Sequence, residues 1–142
     1  MRKLLALRKN ERGAAAIEMA IAVPVLTAFL YGIFEIGVAC EAIAGMQHGL
    51  GEGARYATLC LNPTPSGSEV TCTIPTDDQI KTVINNKVFG TGMGTFSPPT
   101  VTDGTGYKDL SVTFSMPMNF LFFTGPTITL TQTKRVYSAN YS

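Results

Sequence analysis

The stretch that decides the fold is an apolar run with one carboxylate near its beginning, Gly13-Ala14-Ala15-Ala16-Ile17-Glu18-Met19-Ala20-Ile21-Ala22-Val23. From Gly13 to Cys40 the chain has 28 residues interrupted only by Glu18 and Glu35. About 20 mostly apolar residues cross a bilayer core, so the sequence predicts a membrane span over residues 14–40. A carboxylate in such a span costs about 2.5 to 3.5 kcal/mol at the helix centre and less near an interface, so Glu18 requires an explanation.

Charge divides the chain into two unequal parts. The first twelve residues hold five basic side chains and one acidic one, a net charge of +4, whereas the remaining 130 hold six basic and nine acidic ones, a net charge of −3. Basic residues directly before an apolar span stay on the cytoplasmic side, which predicts a single-pass protein with its C-terminal part outside. The acidic outer part has no basic face for a phosphate backbone, so nucleic-acid binding is not expected.

Cleavable signal sequences explain the run less well. A secretory signal has an apolar core of about 7 to 15 residues followed by a small-x-small site, and this run is too long and lacks a clean site. Gly37-Val38-Ala39-Cys40 approaches a lipoprotein box, but Gly37 stands where that box requires a bulky aliphatic residue, and Glu35 lies close upstream.

Motifs along the first 57 residues carry a family resemblance: Arg12-Gly13-Ala14-Ala15-Ala16-Ile17-Glu18-Met19-Ala20, Val23-Pro24-Val25-Leu26, Gly32-Ile33-Phe34-Glu35-Ile36-Gly37 and Glu52-Gly53-Ala54-Arg55-Tyr56-Ala57. Together they resemble the TadE-like pseudopilins of tight-adherence (Tad/Flp) pilus systems. Met19 differs from the aromatic residue that many members carry, and the C-terminal part matches only in general character.

The resemblance implies processing and partners. A basic leader ending in Gly13, with Glu18 five residues after it, is similar to a type IV prepilin site, at which a prepilin peptidase removes residues 1–13 by a cytoplasmic cut before Ala14. Other pilins and the inner-membrane assembly platform are the further implied partners, with no cofactor and no small-molecule substrate. The family also implies that Glu18 meets the new α-amino group of a neighbouring subunit and so sets the axial register of assembly.

Physical chemistry supports a cationic partner for Glu18 without the family name. A cut after Gly13 creates a positive amine on Ala14, and a buried carboxylate is tolerable when it faces such a charge. Ala14 and Glu18 lie about one helical turn apart, so the amine can belong to the same chain or to the next one. The alternative is that Glu18 lies at the headgroup interface as a helix-start residue that favours the helix dipole.

The helix continues beyond the membrane. Apolar residues recur at three- and four-residue steps through Met46 and Leu50, which predicts one helix from Ala14 to Leu59, about 69 Å long, with residues 41–60 outside the bilayer. Pro24 predicts a bend, or alternatively a break into two helices.

Three glycines, Gly45, Gly49 and Gly53, line one side of the outer part of the helix. Such spacing permits close packing against the helix of a neighbouring subunit or against this chain's own sheet, and the sheet is the expectation; local fraying, with Gly51 also present, is the further alternative.

Cys60 and Cys72 enclose eleven residues on the outer, oxidising side, which predicts a disulfide. Cys40 is then expected to be a buried free thiol, with an intersubunit disulfide as the alternative. For Glu35 we expect an interfacial or solvated carboxylate, with an intersubunit pair to Arg55 or a lysine as the alternative.

Residues 61–142 are expected to form a small α+β domain. A loop is predicted over Leu61–Pro75, then a helix capped by Thr76 that ends near Phe89-Gly90, and another loop over Gly90–Pro99. Alternating apolar residues predict two strands, around Val112–Met116 and Ile128–Leu130, joined by a third near Val101 into a three-stranded antiparallel sheet.

The aromatic cluster of residues 120–123 is expected to fill the core, with a partner-docking patch as the alternative. His48 is the only histidine and has no second ligand at metal spacing, so neither a metal site nor an enzyme is expected. Two functions remain: a minor pseudopilin processed and incorporated into a Tad-type pilus, or a permanently anchored periplasmic adaptor that never polymerises.

Overall fold

The computed structural model describes residues 11–66, 69–120 and 123–137, and its first element is one long helix. This helix, α1, spans Glu11–Ala57, 47 residues, or about 70 Å at 1.5 Å per residue. It continues through Pro24, and three residues later the Thr27 hydroxyl donates a 2.7 Å hydrogen bond to the Val23 carbonyl. The predicted long helix is confirmed, and the alternative of two separate helices is wrong.

The C-terminal half of α1 carries a buried stripe. Its members recur at steps of three and four residues, which places them on one face of a helix: Glu35, Val38, Ala42, Met46, Leu50, Ala54 and Ala57. This stripe is the surface on which the rest of the domain packs.

The second helix, α2, spans Asp77–Lys87 and begins as the sequence predicts. The Thr76 hydroxyl accepts a hydrogen bond from the Gln79 backbone N–H, and the Gln79 side chain accepts one from the Thr76 N–H, a complete capping box. Ile80 and Ile84 are fully buried. One side of this short helix therefore belongs to the core.

Close approach between α2 and α1 depends on the three glycines of α1. A Cβ atom built on each glycine would fall within 2.5 Å of an atom of α2 or of the two residues directly after it. The distances are 1.7 Å to the Phe89 carbonyl oxygen for Gly45, 2.5 Å to Val88 Cγ2 for Gly49 and 2.3 Å to Ile84 Cγ1 for Gly53. Their partner is thus α2 and the residues after it, not the sheet. As the chain runs from Ile84 to Phe89, its contacts on α1 move from Gly53 back to Gly45. The two helices are therefore antiparallel.

A four-stranded antiparallel sheet covers the rest of the stripe, and confirms the α+β class. Its strands are β3 (Thr95–Phe96), β4 (Thr100–Gly104), β5 (Tyr107–Phe120) and β6 (Phe123–Tyr137). β5 lies in the middle, with β3 and β4 along one edge and β6 along the other. A tight turn joins β4 to β5, and Gly106 adopts φ +78° in it.

The two faces of β5 differ as a half-buried strand requires. Leu110, Val112, Phe114 and Met116 are buried, and the residues between them are hydroxyl-bearing. The strand extends further than the alternation predicts, because pairing with β6 continues to Phe120 opposite Phe123, past a bulge at Gly125 and Pro126 of β6, opposite Met118. Most of the chain between the two predicted strands is therefore strand as well.

A second, two-stranded sheet replaces the loop predicted over 61–75. It consists of β1 (Leu61–Ser66) and β2 (Glu69–Thr73), paired antiparallel. Among the described elements, this hairpin packs against no other helix or strand. Isolated hairpins are marginally stable, and here the disulfide between Cys60 and Cys72 joins the two chain segments at its base.

The glycine contacts give a matched pair of variants. Gly45→Ala drives a Cβ into the backbone of Phe89 and is expected to lower the melting temperature of the full chain in detergent. Gly51→Ala meets only the Lys134 Nζ, at 4.0 Å, and is expected to raise it, because alanine favours a helix interior by up to about 1 kcal/mol. Circular dichroism melts of both variants test this. Equal changes in the melting temperatures of the two variants would show that the close contact between Gly45 and Phe89 does not contribute to stability.

Candidate membrane and assembly site

The N-terminal half of α1 is an exposed apolar cylinder. Ile17, Phe29 and Ile36 are 66%, 68% and 63% exposed, and most other side chains between residues 13 and 37 are exposed as well. Soluble monomers rarely expose so much contiguous apolar surface. The helix is also long and apolar enough to cross a bilayer. A membrane anchor accounts for this surface.

The residues predicted to form the processing and registry site lie at the beginning of this cylinder. Gly13, Ala14 and Glu18 are all exposed in α1, and a Cβ built on Gly13 meets no atom within 4 Å. Ala14 and Glu18 are one helical turn apart, about 6 Å along the axis. Within the described residues, the Glu18 carboxylate has no ion-pair partner.

Glu35 is buried rather than solvated, contrary to expectation. Only 3% of its surface is exposed, and its Oε2 atom has no hydrogen-bond partner, while the Tyr31 hydroxyl, one turn earlier, bonds to the carboxylate. The reason is its place on the helix, three residues before Val38, which extends the buried stripe. That spacing was the available sequence signal.

The expectation for Cys40 is wrong in one respect: its thiol is free as expected, but it is exposed rather than buried. Position 40 lies about 200° around the helix from Val38 and so faces away from the stripe. His48 is exposed and contacts the Phe89 ring, with ring centroids 5.7 Å apart. The described residues contain no group of His, Cys, Asp or Glu side chains placed to hold a metal ion.

A buried lysine at the far end of the domain was not anticipated from the sequence. Lys108 on β5 is 7% exposed, and its ammonium donates to Asp77 at 2.6 Å and to Asp103. Burial works against the charge of Lys108, but the hydrogen bonds to Asp103 and Asp77 outweigh it and raise its pKa. The contact joins the first turn of α2 to the β4–β5 hairpin.

A second ion pair lies beside it on the exposed face of the sheet. Arg135 donates two hydrogen bonds of 2.8 Å to the two carboxylate oxygens of Asp109, its cross-strand neighbour, and lies 3.9 Å from the Tyr107 ring centroid. The hydrogen bonds from Arg135 lower the pKa of Asp109, and those to Asp109 raise the pKa of Arg135.

Leu121 and Phe122 of the predicted aromatic cluster lie outside the described residues, and for Phe120 and Phe123 only the backbone is described. Phe96 and Phe114 form the aromatic contact that fills the adjacent core, with ring centroids 4.7 Å apart.

Lys108→Met is expected to destabilise the domain by about 1 to 3 kcal/mol, because it leaves two carboxylates without their shared donor, one of them well exposed to water. Arg135→Met, which removes an exposed pair, is the matched control and should cost less. Since the pKa of Lys108 is raised, its stabilisation is present below its ordinary value of 10.5 and is lost as the pH rises through the folded value.

Thermal melts of the full chain in detergent from neutral to alkaline pH measure both variants. The difference between wild type and Lys108→Met should be constant up to about pH 10 and shrink above it. A difference no larger than that of Arg135→Met would contradict a structural role for Lys108.

Comparison with known proteins gives one match. The family model described as TadE-like protein matches residues 13–55, so it begins at the glycine of the predicted processing site and ends two residues before the end of α1. No curated protein and no solved structure matches the chain. Over residues 13–55 the chain is therefore similar to TadE-like proteins, which is consistent with a TadE-like pseudopilin of the Tad system.

Proposed function

We propose that this chain is a minor pseudopilin, a structural subunit of a Tad/Flp type IV pilus. A prepilin peptidase removes residues 1–13, the chain is held in the bacterial inner membrane with its N-terminus cytoplasmic, and the assembly platform then extracts it into a pilus. Other pilins are its partners in assembly or adhesion. The family match over residues 13–55 supports a Tad pilus-associated protein, and the finer steps rest on the geometry of α1.

One observation carries the proposal: Glu18 lies exposed on an apolar cylinder, one turn from the residue that a cut after Gly13 would make N-terminal. Within a bilayer, water does not compensate a carboxylate at that place, and no side chain among the described residues forms an ion pair with it. The new α-amino group of Ala14 supplies a cation at the right distance. Processing and assembly are then coupled, because the cut creates the charge that assembly uses.

The pair also fixes an axial offset. If Glu18 of one subunit meets the amine of Ala14 on a parallel neighbour, the two helices are displaced by about 6 Å, the rise of four residues. An ion pair in an apolar surrounding is sensitive to such a displacement, because its Coulomb energy falls quickly with separation when screening is weak. Apolar side chains around it tolerate sliding far better.

The described helix continues through Gly13 into Ala14, so a peptidase that needs an extended chain has to unwind the first turns. Glycine lowers that cost, since it is about 1 kcal/mol less favourable than alanine within a helix. Because Gly13 has open space around it, nothing in the described domain blocks access.

Intact-mass measurement on protein extracted from its native membrane tests processing. We expect loss of Met1–Gly13 in the wild type, retention of the leader in Gly13→Val, and normal loss in Gly37→Val, another glycine in open space on α1. A wild-type chain that keeps its leader would contradict the pilin proposal and favour a permanently anchored adaptor.

Glu18→Ala tests the registry role separately. Its mass should show normal processing, while the amount of the chain in sheared pili, or bound to partner pilins, should fall. Glu41→Ala removes an exposed carboxylate of the same helix outside the apolar cylinder and should change neither. Normal incorporation of Glu18→Ala would sink the registry role and leave processing untouched.

A further inference from the structure

The β5–β6 hairpin runs down the side of α1 toward the apolar cylinder, and contacts at two levels fix its direction. At the upper level, Leu110 on β5 pairs with Lys134 on β6, whose Nζ lies 4.0 Å from a Cβ built on Gly51. This end of the hairpin therefore lies beside the last two turns of α1.

The lower level is four residues further along β5. The Phe114 ring contacts Phe96, and the Phe96 ring borders Gly90, where a built Cβ lies 3.7 Å from the Ala42 Cα. Four residues of strand cover about 13 Å, and the nine helical residues from Gly51 back to Ala42 cover about 13.5 Å. The strand thus runs antiparallel to α1.

At the same rise per residue, Pro117 lies near the level of Glu35. Phe120 and its partner Phe123 lie up to about 10 Å further toward the N-terminus of α1. That is the level of Phe29 to Gly32. Tyr31 and Gly32 are half-buried there although residues on either side of them are exposed, as expected where the hairpin covers one side of the helix.

This level lies within the membrane-spanning part of α1. About 20 residues from Ala14 cross the 30 Å hydrocarbon core and end near Ile33. The end of the hairpin, Met118 to Phe120 with Phe123 and Thr124, then lies within several ångströms of that boundary.

Charge is distributed as this position requires. No charged residue occurs from Leu110 to Thr133 or from Val88 to Thr102, the two segments nearest the membrane. Every described ion pair of the sheet lies at the opposite end. These pairs are made by Lys108 with Asp77 and Asp103, and by Arg135 with Asp109. Phe89 and Met93, in the uncharged loop, are 49% and 43% exposed.

We propose that the end of the β5–β6 hairpin, residues Met118–Phe120 and Phe123–Thr124, inserts into the interfacial layer of the leaflet nearest the domain, so that lipid is its partner. The inference rests on the proposal that α1 spans the membrane. Aromatic side chains favour this layer, where apolar bodies and polar groups are both accommodated. The hairpin then shields Glu35 from acyl chains at the depth where α1 leaves the bilayer.

Backbone chemistry sets the depth. β6 is an edge strand among the described elements, so its outer N–H and C=O groups need water or headgroups as partners. Open strand edges do not enter the hydrocarbon core. The hairpin therefore stays at the level of the headgroups, and its uncharged surface makes insertion independent of anionic lipid.

Tryptophan fluorescence tests insertion, because the chain has no tryptophan of its own. Three full-length variants, Phe123→Trp, Phe29→Trp and Tyr137→Trp, replace one aromatic residue by another at the hairpin end, in the apolar cylinder and at the far end of β6. Each is reconstituted into phosphatidylcholine vesicles whose acyl chains carry bromine near the headgroup, or near the bilayer centre, or not at all.

We expect bromine near the headgroup to quench the fluorescence of Phe123→Trp and of Phe29→Trp to a similar extent. Bromine at the bilayer centre should quench Phe123→Trp less than bromine near the headgroup does. Neither bromine position should quench Tyr137→Trp. Quenching should be the same at low and high salt. Quenching of Phe29→Trp without Phe123→Trp would overturn the inference and leave the membrane span standing. No quenching of either variant would contradict the span itself.

Discussion

Close contact along one stripe of α1 is the constraint on which the domain depends. Between Val38 and Ala57, small and apolar side chains recur every three or four residues, and α2, β5 and β6 all pack on that stripe. Where Cβ atoms are absent, at Gly45, Gly49 and Gly53, the segment from Ile84 to Phe89 approaches the helix backbone directly. The helix thus has two environments along its length, an unpacked apolar half and a packed half, and the change occurs at Glu35.

Two further features hold the elements in place around that stripe. The capping box at Thr76 fixes where α2 begins, and Lys108 joins the same turn to the hairpin that follows β4. Both lie at the end of the domain away from the apolar half of α1. Polar stabilisation is therefore concentrated where water is available, and the membrane-proximal part of the sheet relies on Phe96, Phe114 and Met116.

Much of this architecture could be predicted from local patterns. The apolar run and the three- and four-residue steps predicted α1, the cap predicted the start of α2, and alternation predicted the buried face of β5. The family resemblance drawn from residues 12–57 agrees with the matched segment 13–55. These features are local, so neighbouring residues in the sequence are sufficient to specify them.

Other features depend on tertiary contacts and could not be predicted in the same way. The prolines and polar residues of 61–66 suggested a loop, but the pairing of β1 with β2 depends on a partner strand and a disulfide. Three evenly spaced glycines indicate a close contact without saying whether a helix or a sheet makes it. The charge of Glu35 predicts a solvated or interfacial side chain, whereas its position on the buried stripe places it in the interior.

The hairpin of β1 and β2 has a practical consequence. Because it touches no other described element and is closed at its base by Cys60 and Cys72, its length and sequence are not constrained by the core. The connection from Ser66 to Glu69 is therefore the natural position for an epitope tag or a fluorophore. A label there would report the location of the chain in living cells, at the opposite end of the roughly 70 Å α1 helix from its exposed apolar half.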